Sequence, residues 1–171
     1  QARTIEGLIK AFGARIVLIP HVVCDFNEGD DDLRYLRKVK RAIASEHQDA
    51  LSLLQSDPGF VGAKTELVKC DLVIAARMHC AINAMAARVP TILVAYSRKA
   101  VGMCTYVYGN GDWVIPLDEF PSKRLLKEKV RSMKNHDSQI RDYLDKRIPE
   151  IQQEAYRPLR RLSEVLGDGA P

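Results

Sequence analysis

Three groups of residues, most of them polar, follow short apolar segments of this 171-residue sequence. They are His21; then Arg77, Met78 and His79; and then Tyr96, Ser97, Arg98 and Lys99. A guanidinium group can bind a carboxylate or a phosphate through paired hydrogen bonds, and an imidazole can give or take a proton near neutral pH. The three groups therefore predict a site for a small anion, with Arg77 and His79 as the pair best suited to chemistry.

The segments before these groups have the pattern of buried strands. Aliphatic and β-branched residues dominate residues 15–20, 50–55, 71–75, 91–95 and 113–115. Helical patterns lie between most of them, and this alternation predicts an α/β fold, with a Rossmann-like parallel sheet sandwiched by helices. Ligands of such sheets bind beyond the carboxyl ends of the strands, where the next helices begin. We therefore expect all three groups along one edge of the sheet.

After residue 120 the sequence pattern changes to helices alone. Apolar residues at helical spacing predict one amphipathic helix around residues 125–133. They predict one or two longer helices beyond it, broken near Pro149 and Pro158 because proline removes a helical hydrogen bond. We therefore expect an α/β domain over residues 1–120, with a helical extension over residues 121–171 packed on it.

The composition is that of a soluble globular protein, with 46% apolar and 28% charged residues and no apolar run long enough to cross a bilayer. The formal net charge of +4 is mild. Because the first 120 residues contain no basic stripe with interleaved aromatic residues, we predict no nucleic-acid partner. The four cysteines lack metal-ligand spacing, which predicts no metal site and a reduced, cytoplasmic protein.

One continuous segment resembles a known family. Residues 70–102 read CDLVIAARMHCAINAMAARVPTILVAYSRKAVG. This resembles the C-terminal domain of the polysaccharide pyruvyl transferases, in which DLVI-x-x-R-x-H-A precedes small residues and then G-V-P-x-I-x-x-x-Y-x-x-K. The residues in register are Asp71, Arg77, His79, Val89, Pro90, Tyr96 and Lys99. Upstream, Ile19-Pro20-His21 is similar to the family's I-P-H segment, so the resemblance covers about residues 15–116.

Three residues depart from the family's pattern. Ala76 stands before the arginine where glycine or another small residue is usual, and Cys80 replaces alanine or serine. Arg88 stands where the family often has glycine, so we expect a change in how the preceding helix ends. The departure at Arg88 does not touch the predicted site.

The resemblance implies a two-domain protein with a GT-B-like fold, whose active site lies in the cleft between the halves. This chain would be the C-terminal half. Since it opens at Gln1 in a helical pattern, without methionine, we expect a fragment that is inactive without its N-terminal half. The resemblance further implies transfer of a pyruvyl group from phosphoenolpyruvate to sugar hydroxyls, as a ketal, in exopolysaccharide or other glycan biosynthesis, with no cofactor.

The resemblance also implies roles for single residues. Arg77 would hold the anionic groups of the donor, and His79 would act as general acid. Backbone N–H groups around Met78 would help to hold phosphate. His21 would either face the cleft or simply end its strand. Further donor-side contacts would come from Lys99, with Tyr96, Ser97 or Arg98.

Two other functions fit the same sequence. One is a GT-B glycosyltransferase or epimerase that uses a nucleotide sugar, although the loops after the predicted strands lack the G-x-G turn typical of nucleotide sites. The other is a non-catalytic α/β module, in which Arg77 and His79 are ordinary surface residues. The C-terminal helices would pack on the missing N-terminal half or on a second copy of the chain.

Overall fold

Helices alternate with short strands along most of the chain. The computed structural model describes residues 1–24, 30–120 and 122–166. In chain order the elements are α1 (Ala2–Phe12), β1 (Ile16–Leu18), α2 (Asp32–Arg41), a 3₁₀ helix (Ser45–Ala50), β2 (Leu51–Leu53), α3 (Gly59–Leu67), β3 (Val73–Ala75), α4 (Met78–Ala86), β4 (Thr91–Ala95), α5 (Arg98–Tyr108), β5 (Val114–Pro116), α6 (Lys123–Asn135) and α7 (Asp137–Leu166).

All strand pairs are parallel, and helices connect the strands, which confirms the prediction of a Rossmann-like α/β fold. The strands form two hydrogen-bonded groups, β1–β2 and β3–β4–β5 with β4 in the middle. We expected a single sheet, but among the described residues no strand pairing joins β1 or β2 to the other three strands. Side-chain packing joins the two groups, because Ile16 of β1 contacts the hydrophobic clusters of both.

The main hydrophobic core lies around β4, which is buried from Thr91 to Val94. Helix α4 packs closely on this sheet because its inward face consists of small residues and one flexible methionine. Ala81, Ala84 and Met85 are each no more than 1% exposed. Tyr108 of α5 reaches the same layer, where its hydroxyl accepts a hydrogen bond of 2.9 Å from the backbone N–H of Thr91.

The C-terminal helices share this core. Leu126 and Met133 of α6 and Leu144 of α7 are at most 1% exposed and belong to the same cluster as the residues of β4. Helix α6 also packs against α1, and α7 packs against α5. The helical extension thus completes the core, while the boundary at residue 120 remains a prediction.

Helix α7 runs through both prolines, so the predicted breaks near Pro149 and Pro158 are wrong. The carbonyls that would have paired with these residues belong to Asp145 and Glu154, which are exposed. Water can therefore replace the missing bonds, while burial of the inner face of α7 stabilises the first half of the helix. No helix in the described ranges is long and apolar enough to cross a membrane.

The remaining differences are at element ends. The acidic residues 28–32 predict the start of a helix, since negative charge is favourable there. Helix α2 begins at Asp32, with Asp31 as its N-cap; residues 25–29 lie outside the described residues. The 3₁₀ helix before β2 was not predicted, since its polar sequence carries no apolar periodicity.

Candidate functional site

The candidate site lies where β3 and β4 end. These strands are hydrogen-bonded in parallel, with Ala75 opposite Leu93, so their carboxyl ends meet at one edge of the sheet. Arg77 is the N-cap of α4 after β3, and Ser97 is the N-cap of α5 after β4. The second and third predicted groups therefore start neighbouring helices on the same side.

Both helix starts lack a side-chain cap. The side chain of neither Arg77 nor Ser97 accepts a hydrogen bond from the first N–H groups of its helix. The first N–H groups of a helix have no partner within it, and they carry the positive end of the helix dipole. The two starts are therefore suited to an anion. Met78 can contribute only its backbone to such a site, because its side chain packs against the core.

The guanidinium of Arg77 is held by Asp32, the first residue of α2. Its Nη2 and Nε donate to Oδ1 of Asp32 over 2.8 and 3.2 Å, and Nη2 also donates to the carbonyl oxygen of Asp30 over 3.4 Å. The hydrogen bond with Asp32 raises the pKa of Arg77, although partial burial acts the other way. Arg77 thus stays charged, and its Nη1 remains for a ligand among the described residues.

The imidazole of His21 lies beside this ion pair. The N–H of His21 donates to Oδ2 of Asp32 over 3.1 Å. The ring atom Nε2 is buried and has no hydrogen-bond partner in the described part of the chain. Burial lowers the pKa of His21, as do the charges of Arg77 and His79, while Asp32 opposes them. His21 is therefore neutral at neutral pH and faces the charged groups of the site.

His79 is the exposed member of the pair that the sequence singled out. It is the second residue of α4, and its side chain is open to solvent. Its charge acts on His21, and the phenol of Tyr96 acts on Arg77. Among the described residues, Asp32 joins two of the eight predicted site residues, His21 and Arg77, by hydrogen bonds. His79 and Tyr96 influence this pair electrostatically.

The other predicted residues after β4 lie at the start of α5. Ser97 is partly buried, while Arg98 and Lys99 are exposed in the first turn of α5. In the described ranges, neither cation has an ion-pair partner. They add positive charge to the same edge of the sheet without a contact to Arg77.

Asp32 is the site residue that sequence reasoning missed. The acidic stretch before α2 was interpreted only as favourable charge at a helix start. A second signal was available, because α2 follows β1 and therefore begins at the edge of the sheet where Arg77 was expected. An acidic residue at one strand end and an arginine at the next predict an ion pair.

Other chemistry is not assembled in the described residues. They contain no group of three or more His, Cys, Asp or Glu side chains able to hold a metal ion. Burial raises the pKa of Cys80 to about 12, so this neighbour of His79 stays a thiol. A cavity of about 350 Å³ lies away from the site, between α2 and β2.

Comparison with protein families gives one result that covers most of the site. The family model described as polysaccharide pyruvyl transferase matches residues 1–98. The match is more than half of the chain and includes His21, Arg77, His79 and Tyr96, ending one residue before Lys99. Comparisons with curated proteins and with solved structures found no match. The matched segment is enough to show that the chain belongs to the polysaccharide pyruvyl transferase family.

Proposed function

We propose that this chain binds phosphoenolpyruvate and takes part in the transfer of its pyruvyl group to two hydroxyls of a sugar or glycan, forming a ketal. Membership of a transferase family supports the reaction class. The single observation that carries the proposal is the start of α4, where Arg77, the exposed His79 and uncapped N–H groups lie together.

The reaction balances with these groups alone. The enol double bond of the donor takes a proton at its terminal carbon, which becomes the methyl group. Two sugar oxygens form bonds to the central carbon, and the bond between that carbon and the phosphate oxygen breaks. The two sugar hydroxyls lose two protons. One of them returns to the acid that protonated the carbon, and the other ends on the released phosphate.

The donor carries a carboxylate and a phosphate, so it needs several hydrogen-bond donors with positive charge. Nη1 of Arg77 supplies two N–H donors, since Nε and Nη2 are held by Asp32. The N–H groups of Met78 and His79 add the positive end of the α4 dipole. Lys99, with Tyr96, Ser97 or Arg98, binds the other anionic group from the start of α5.

His79 acts as the general acid on the donor in this scheme. An exposed imidazole next to bound anions can be protonated and can reach a ligand that lies over the helix start. His21 keeps a neutral ring, because burial lowers its pKa. It therefore adds no positive charge to the donor site.

The His79→Ala variant tests this function. The assay uses the chain joined to the N-terminal half that the family resemblance implies, incubated with phosphoenolpyruvate and acceptor glycans, while phosphate release and the mass of the ketal product are measured. We expect the variant to lose turnover by at least about a hundredfold, the usual contribution of a positioned acid. Circular dichroism should be unchanged, since His79 is exposed.

The matched control is His136→Ala, which removes another exposed imidazole, at the end of α6. It should leave turnover intact. Near-normal turnover of the His79→Ala protein would exclude the acid role. Stabilisation of the chain by nucleotide sugars, but not by phosphoenolpyruvate, in a thermal-shift assay would instead favour a nucleotide-sugar enzyme. No response to any small anion would favour a non-catalytic module.

A further inference from the structure

The carboxylate of Asp32 is not used by its own helix. Asp31 is the N-cap of α2, and its Oδ1 accepts the N–H of Arg34 over 3.1 Å. Asp32, one residue later, instead directs its side chain across to the start of α4. Asp31 thus caps α2, while its neighbour Asp32 binds Arg77.

Both oxygens of Asp32 are saturated by donors from two different parts of the fold. Oδ2 accepts the backbone N–H groups of His21 and Val22 over 3.1 and 3.0 Å. Oδ1 accepts Nη2 and Nε of Arg77 over 2.8 and 3.2 Å. One carboxylate therefore links the loop after β1 with the start of α4, across the division between the two groups of strands.

This arrangement fixes a direction for each partner. Since Nε and Nη2 are held on one side, the plane of the Arg77 guanidinium is set and Nη1 points to the remaining side. The bonds to the backbone of His21 and Val22 hold the loop that carries the His21 imidazole. Partly exposed ion pairs add little to stability by themselves, and the side chains of Asp32 and Arg77 are 21% and 42% exposed. Their geometry therefore has more effect on the site than on folding.

We propose that Asp32 is a positioning residue of the donor site, which orients Arg77 and the His21 loop together for binding of the carboxylate or phosphate. This inference rests on the proposed function for its ligand. The contact between Asp32 and Arg77 does not depend on the identity of the ligand. The positioning role and the proposed function can therefore be tested separately.

The test compares Asp32→Asn with Asp31→Asn in the 171-residue chain. Both oxygens of the Asp32 carboxylate accept hydrogen bonds from donors. An amide NH₂ in place of either oxygen cannot accept these bonds, so Asp32→Asn should lose its bonds either to Arg77 or to the His21 loop. Asn at position 31 caps a helix about as well as Asp, so the control removes one charge from the same turn without touching Arg77. We expect phosphoenolpyruvate affinity, by calorimetry, to fall at least tenfold in the first variant and less than twofold in the second.

Nuclear magnetic resonance provides readouts that need no ligand. In Asp32→Asn the Arg77 Nε–H signal should lose its protection from exchange. The pKa of His21 should fall further, because the charge of Asp32 raises it. Asp31→Asn should leave both signals in place. An unchanged Arg77 signal in Asp32→Asn, or equal losses of affinity in the two variants, would overturn the positioning role.

A second variant covers the case in which Asp32→Asn does not fold. Asp32→Glu keeps the charge and alters only the reach of the carboxylate, so its affinity should still fall below that of Asp31→Asn; affinity equal to that of the unmodified chain would overturn the proposal. If the unmodified chain does not bind phosphoenolpyruvate, the proposed function fails, and the Arg77 signal alone decides whether Asp32 positions it.

Discussion

His21 shows how burial at the scale of one residue changes the chemistry of a site. The same side chain in solution would titrate near 6.5, whereas here its ring is enclosed and lies close to Arg77 and His79. Burial, with the positive charge of Arg77, lowers the pKa of His21 and favours the neutral ring. The His21 ring therefore adds no positive charge of its own beside Arg77 at neutral pH, and Arg77 supplies the fixed charge at this point of the site.

This burial predicts how stability changes with pH. In the folded chain the pKa of His21 is lowered from 6.5, so between the lowered value and 6.5 the unfolded chain binds more protons than the folded one. Stability must then fall as pH falls through that window. The His21→Gln variant has no imidazole at this position, so it lacks this pH-dependent contribution to stability. Urea unfolding at about pH 7.5 and about pH 5 should show a larger loss for the unmodified chain than for the variant.

The control for that measurement is His136→Gln, which removes an imidazole exposed at the end of α6. Its loss of stability between the two pH values is compared with that of the other two proteins, so that acid effects common to the chain cancel. Parallel losses in His21→Gln and the unmodified chain would show that burial of His21 has no thermodynamic effect.

The sequence could locate single site residues only as far as local pattern determines them. Arg77 and His79 were found because an apolar strand segment and a small-residue helix enclose them. Asp32 was not, because its partner Arg77 is 45 positions away and no local pattern joins two strand ends. Likewise, only the folded chain shows that Asp32 binds Nε and Nη2 of Arg77 and leaves Nη1 on the other side.

At the scale of elements, the end of α4 explains the most informative departure from the family's pattern. Arg88 stands where glycine is common, and its φ is +63°, in the left-handed region that glycine adopts without strain. Its guanidinium forms an ion pair of 3.1 Å with Asp145 of α7. Both side chains are more than half exposed, so this pair offsets little of the strain.

We therefore expect Arg88→Gly to stabilise the chain. Relief of left-handed strain contributes about 1–2 kcal/mol, and the greater freedom of glycine in the unfolded chain subtracts about 0.5–1 kcal/mol. The net gain in the free energy of unfolding should be about 0–1.5 kcal/mol, measured by urea titration. Arg88→Ala is the control, because it removes the same ion pair and keeps the strain. A gain of equal size in both variants would assign the effect to the lost charge.

Elements were predicted best where flanking residues and burial agree. The limits of β4 match the sequence segment residue for residue, because Pro90 precedes it and its residues are buried on both faces. Helix α7 was predicted with breaks because local propensity penalises Pro149 and Pro158. Packing of Leu144 and its neighbours on the core opposes that penalty, and single-sequence patterns do not contain this information.

At the scale of the whole molecule, α7 extends beyond the body that it packs on. One face of the helix carries apolar residues spaced by three or four positions: Ile140, Leu144, Ile148, Ile151, Ala155, Leu159 and Leu162. The first three are buried, Ile151 is half-buried, and the last three are exposed. A single apolar stripe is thus half covered by the core and half open to solvent.

Two leucines on this stripe make a matched pair for a stability measurement. Leu144 is 0% exposed and Leu159 is 60% exposed. Leu144→Ala should lower the free energy of unfolding by about 2–5 kcal/mol, because it opens a cavity in the core. Leu159→Ala should change it by less than about 0.5 kcal/mol, as is usual for a surface position. Urea unfolding of both variants at low protein concentration measures the difference. If the two variants lost equal stability, and the loss for Leu159→Ala grew with protein concentration, the outer half of the stripe would be covered in solution by contacts that a single chain does not make.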